Sequence, residues 1–224
     1  MSRRGIVRLV QFAMIMLLVG LVALGSAPAT SYAAPTINIA DARALPPDST
    51  VTLKGTVTVP SGAFESGTFD KGFAIQDKTG GIYVSLPDDL GLNIGDQVEV
   101  TGQLADSFGL LILTTSAADV KDKGHGRPVH PQTVATNGLS EATEGLLLTL
   151  SGTITQPVVA DPPYGYRVFV DDGSGEAQVF VYASTGIDVS VFLPGQHVCV
   201  TGFGAQFDTH YELNPRVPGD IQIC

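Results

Sequence analysis

The sequence predicts an all-β protein made of two tandem five-stranded Greek-key barrels behind an N-terminal signal peptide. Three observations carry that reading. The second half repeats the first: Lys54-Gly55-Thr56-Val57 returns as Ser151-Gly152-Thr153-Ile154, Phe73-Ala74-Ile75-Gln76 as Val168-Phe169-Val170-Asp171, and Gly95-Asp96-Gln97-Val98 as Gly195-Gln196-His197-Val198, at offsets of 97, 95 and 100. The order is kept and only the spacing drifts, as expected of a duplicated domain with variable loops. Apolar and polar residues alternate with period two in short runs closed by glycine, proline or aspartate, which is a strand signal. Each repeat holds five such runs, whereas an immunoglobulin-like sandwich would want about seven.

Taken in order, residues 1–33 read as a signal peptide. Arg3, Arg4 and Arg8 precede an uncharged apolar run from Phe12 to Gly25, and Ser31-Tyr32-Ala33 supplies the small-x-small cleavage pattern. An uncleaved anchor is the alternative, since the apolar stretch approaches spanning length. The expectation is a processed, extracytoplasmic protein with no stable membrane insertion. The first domain is expected over 36–120, with Ile39–Leu45 leading into strands at Thr50–Val59, Gly72–Gln76, Gly81–Ser85, Gln97–Leu104 and Leu110–Thr114. Asp77-Lys78-Thr79-Gly80 makes a hairpin turn. The segment 121–135, with Gly124, Gly126, Pro128 and Pro131, reads as a flexible linker. The second domain covers 136–224: a short helical turn at Ser140–Glu144, strands at Leu146–Gln156, Arg167–Asp171, Ala177–Tyr182, His197–Phe203 and His210–Leu213, and a last strand at Ile221–Cys224. A long first strand with a mid-strand glycine (Gly55, Gly152) can bend and pair at both edges of a small closed barrel.

Charge and cysteines narrow the function classes. The chain has 12 Lys+Arg against 22 Asp+Glu, a formal net charge of −10. The three leader arginines are the only charges in residues 1–33, so processing makes it more acidic still. Such a surface repels phosphate and disfavours a general DNA-coating role. The basic cluster Lys121, Lys123, His125, Arg127 and His130 reads as solvated linker. Cys199 and Cys224 each point opposite to flanking Val198, Val200 and Ile223, so both thiols belong on the outer face of neighbouring strands, and a Cys199–Cys224 disulfide is expected in an exported chain. No nucleophile elbow, phosphate loop, His-Glu-x-x-His or Cys-His constellation occurs, and the expectation is a non-enzymatic protein without cofactor. Asp77, Asp171 and Asp172 suit turn capping better than calcium, and no metal site is expected.

The runs Val51–Thr58, Phe73–Val84 and Ile94–Gly102 resemble the oligonucleotide/oligosaccharide-binding (OB) modules of exported bacterial proteins, the type found beside secreted nuclease, phosphatase and lamin-tail domains. The resemblance covers residues 36–224, with no catalytic domain alongside. It implies a ligand face on strands 2–3, edged by the loops between strands 1–2 and 4–5, where single-strand binders place stacking aromatics beside basic residues.

Strand parity tests for such a face. In the second repeat Val168, Val170, Ala177, Val179 and Val181 point inward, which leaves Arg167, Phe169, Phe180 and Tyr182 outward. The loop Asp161–Tyr166 adds Tyr164 and Tyr166. The first repeat is poorer, with Tyr83 as its one outward aromatic on those strands. Two readings of the richer face stand: a platform for single-stranded nucleic acid or glycan, or a packing surface against the first domain, the linker or another envelope protein.

Overall fold

In the computed structural model, which describes residues 36–224, each repeat closes on its own long first strand. The leader read over residues 1–33 lies outside the described residues. The first repeat opens with α1 (Ile39–Arg43), then β1 (Thr50–Val59), α2 (Glu65–Thr68), β2 (Phe73–Gln76), β3 (Gly81–Ser85), β4 (Asp96–Ser107) and β5 (Leu110–Thr114). β1 pairs antiparallel with β4 from Thr50↔Gln103 to Thr56↔Gln97, then with β2 from Thr56↔Gln76 onward. Gly55 sits where the strand changes partner. The order β1-β2-β3-β5-β4, closed by β1–β4 and with β3 parallel to β5, is the OB topology.

The second repeat copies it. Its strands are β8 (Leu147–Ile154), β10 (Gly165–Asp171), β11 (Ala177–Tyr182), β12 (His197–Phe207) and β13 (His210–Asn214), in the order β8-β10-β11-β13-β12 with β12 returning to β8. The all-β tandem of two barrels is therefore as the repeat implied. Each barrel buries the inward-facing residues of its own strands, with Leu53, Phe73, Ile82 and Val100 in the first core and Leu150, Val168, Val179 and Val200 in the second.

Among the described residues, four further strands lie outside this barrel scheme. β6 (Val120–His125) lies on β4, and β7 (Gln132–Thr133) runs parallel to β8. The segment 121–135, read as a flexible linker, is thus tethered to a barrel at each end. Three of its five basic residues are paired as well: Lys121 and Lys123 reach Glu99, and His125 reaches Asp96. β9 (Val159–Asp161) folds back on β10 and turns the strand 1–2 loop of the second barrel into a hairpin. The last strand, β14 (Ile221–Ile223), lies on β12 as β6 lies on β4. Beyond it Cys224 meets Cys199 in the expected disulfide, with Cα atoms 5.8 Å apart.

The turn aspartates cap backbone. Asp77 accepts N–H bonds from Thr79, Gly80 and, at 3.0 Å, Ile39 at the start of α1. Asp172 does the same for Ser174 and Thr136, and Asp171 accepts from Gly173 and Gly175. In both repeats a hairpin carboxylate thereby anchors the segment that leads into the barrel. Hydrogen bonding to the charged form holds both Asp77 and Asp172 below the usual carboxylate range, although burial of Asp77 opposes this. No helix among the described residues is long and apolar enough to cross a membrane.

The two barrels share a third core. Val59, Ala63, Phe64, Ala74, Tyr83 and Ile112 of the first pack on Phe203 and Ala205 of the second, with Tyr182 at the margin. Arg216, buried, donates through Nη1 to Thr58 O at 2.7 Å and forks onto Asp220 at 2.7 and 2.8 Å. Arg43 bridges to Glu144 at 2.8 Å and Glu141 at 3.0 Å. At Gly81 and Gly145 the two backbones touch so closely that a Cβ on Gly81 would lie 1.9 Å from Gly145 O.

Candidate functional site

The shared core decides which ligand face stays open. In the first barrel the outward residues of β2 and β3 are spent on the second barrel: Ala74 and Tyr83 lie in the interface, and Gln76 Oε1 accepts the Leu147 N–H at 2.8 Å. Tyr83 also donates to Asp70 at 2.8 Å, and burial pushes its hydroxyl pKa well above the ordinary value. That face offers nothing to a ligand.

In the second barrel the face divides. Parity holds, since Val168, Val170, Val179 and Val181 fill the core and the residues between them point out. Phe180 and Tyr182, expected to be exposed, are nevertheless covered. Tyr182 packs its ring 4.8 Å from Phe64 and 4.9 Å from Phe180, beneath α2, where a Cβ on Gly67 would fall 2.0 Å from its Cε1. Phe180 keeps only 8% of its surface. Phe64 and α2 of the first barrel occupy the space in front of Tyr182, and Phe180 lies against the Tyr182 ring. Tyr166, expected in a loop, lies in β10 on the core-facing side. It lines a cleft of about 430 Å³ with Val158, Ala160, Ile187, Val189 and Phe192.

The rest of the face remains accessible. Arg167 and Phe169 are half-buried, and Arg167 forms an ion pair with Asp161 across the β9–β10 hairpin. Opposite Phe169 stands Gln178, whose Nε2 donates to the buried Glu212 at 2.7 Å and meets His210 Nε2 at 3.1 Å. Asn214 donates to the other Glu212 oxygen at 3.0 Å. Glu212, as acceptor to the His210 ring, raises the His210 pKa. Tyr164 is 39% exposed at one loop margin, and Phe207, 52% exposed, stands 6.0 Å from His210 at the other. The open strip thus runs from Tyr164 past Arg167, Phe169 and Gln178 to His210 and Phe207. Strand parity also turns Gln178 outward, whereas Phe207 and Glu212 carried no mark in the sequence reading. The signal for Phe207 is its place at the end of β12, beside the loop between strands 4 and 5 that borders the ligand face of an OB barrel.

Among the described residues no group of three His, Cys, Asp or Glu is placed to hold a metal ion. The strip offers stacking surface and polar contacts.

The chain matches no family model and no curated protein. Solved structures to which it is similar include an OBody bound to hen egg-white lysozyme, 18% identical over 43% of this chain and 97% of that one with a TM-score of 0.35. A murine DNA-binding protein bound with double-stranded DNA is 12% identical over 77% of this chain and 96% of that one, with a TM-score of 0.42. Fission yeast Pot1 with single-stranded DNA is 10% identical over 79% and 84%, with a TM-score of 0.35. What those proteins bind is said of them alone.

Proposed function

We propose that this is an exported, non-enzymatic binding protein that takes a single-stranded nucleic acid along the open strip of its second barrel. The observation that supports it most is the run of accessible aromatic rings, Tyr164, Phe169 and Phe207, spaced along one face with Arg167 between them. Bases stack on such rings whatever their sequence, and each stacked base contributes about 1–3 kcal/mol. A neutral glycan is the second reading, favoured by a specific feature. Arg167 is paired with Asp161, and His210 lies 3.6 Å from Glu212, so the strip adds little positive field to an acidic chain. Titration of the mature protein with labelled single strands and neutral oligosaccharides at low salt separates the two. Phe169→Ala should weaken nucleic acid by about 1–3 kcal/mol if a base stacks there. Saturable binding of oligosaccharide alone would replace the first reading with the second. A nuclease assay with divalent metal tests the non-enzymatic assignment, and turnover that survives rigorous purification would reverse it.

A further inference from the structure

We infer that the first barrel, whose own ligand face is buried, supplies the two ends of the second barrel's binding strip through Phe69 and Phe108. This rests on the reading of that strip as a site for a single strand. Phe69 and Phe108 are the two most exposed large apolar side chains among the described residues, at 73% and 70%. Both also sit in the left-handed backbone region, with φ of 59° and 53°. The other two non-glycine residues there, Asp48 and Asp208, are of a type that tolerates it, whereas a bulky aromatic does not favour it. Exposure and backbone both count against phenylalanine at these positions, and such costs cluster where a chain meets a ligand.

Their placement says which ligand. Phe69 lies in the strand 1–2 loop of the first barrel, and its ring meets Tyr164 of the second barrel's equivalent loop, centroids 5.8 Å apart and edge-on. Phe108 lies in the strand 4–5 hairpin of the first barrel and meets Phe207 of the second barrel's equivalent hairpin, centroids 5.4 Å apart. The hairpins are locked tip to tip, with Asp208 N–H donating to Phe108 O at 2.6 Å. Ser66 Oγ donates to Tyr164 O at 2.6 Å at the other end. Each margin of the strip therefore carries an aromatic pair with one ring from each barrel. Two such pairs flanking Arg167 and Phe169 suit an extended strand with a base stacked at each end.

The test is anisotropy titration of the intact protein with a fluorescein-labelled oligothymidylate of about 12 nucleotides, within the span of OB-type sites. The variants are Phe69→Gly and Phe108→Gly, because glycine takes left-handed backbone freely and should preserve the fold. Each is expected to weaken binding about 5- to 100-fold, as for one lost stacking contact. The double variant should lose the product of the two factors, because the two aromatic pairs share no residue. Phe69→Tyr and Phe108→Tyr should restore affinity. If Phe169→Ala weakens binding while both glycine variants stay within about twofold of wild type, the first barrel makes no contact and this inference fails alone. If the wild-type protein does not bind the oligothymidylate, the nucleic-acid reading fails and this inference falls with it.

Discussion

At His210 a single proton sets the hydrogen bonding of the open strip. Gln178 Nε2 can donate to His210 Nε2 only while that nitrogen is unprotonated, whereas the nearby Glu212 carboxylate favours the imidazolium. The hydrogen bond to Glu212 raises the pKa above its ordinary 6.5, with Arg167 opposing and Asp208 assisting. A raised folded pKa means the native state binds the proton more tightly than the unfolded chain. This contribution to stability is therefore complete below pH 6.5 and is lost as pH climbs through the raised value. Urea midpoints measured from about pH 6 to about pH 8 should fall, and His210→Gln should flatten that part of the slope. An identical slope in the variant would refute the assignment. Glu144, raised mainly by burial, adds a fall of the same sign at lower pH. Arg216 shows the opposite extreme, a buried charge with every partner in place. Arg216→Ala should cost about 3–5 kcal/mol in chemical denaturation by stranding Asp220 and the Thr58 carbonyl. Nothing in sequence marks Arg216, because its partners are a carbonyl in the other barrel and an aspartate four residues on.

Between elements, β3 meets the residues entering β8 backbone to backbone. Gly81→Ala places a methyl against the Gly145 carbonyl and should destabilise by about 1–3 kcal/mol, the ordinary range for overpacking, when measured by urea unfolding. An unchanged midpoint would mean that the contact relaxes at no cost. The barrel strands were legible because period-two alternation and turn glycines are local properties, and the duplication let each repeat check the other. β6 and β9 were not legible. β6 carries Lys121, Asp122, Lys123 and Gly124 on an exposed edge, where charge blunts aggregation and also hides the strand signal. β9 is three residues beside the prolines of a loop. Parity likewise showed which way Phe180 and Tyr182 point, but not that α2 would lie over Tyr182. Direction follows from one strand, whereas cover depends on a contact about 120 residues away.

For the whole molecule, the shared core changes what the Cys199–Cys224 bridge does. Two independent barrels would unfold separately, and reduction would destabilise only the second. Here Phe64, Tyr83 and Phe203 form one buried cluster across the boundary, so loss of either barrel exposes the interface face of the other. The protein should therefore melt in one transition that near-UV and far-UV probes follow together. The bridge spans a sequence separation of 25, which corresponds to about 3 kcal/mol of restricted unfolded-state freedom. Reduction, or Cys224→Ser, should lower that single transition by roughly 6–12 °C for a chain of this size. A second, unshifted transition after reduction would show that the first barrel stands without its partner. The interface would then be a weak docking contact, and an inter-barrel strip of fixed geometry would lose its structural basis.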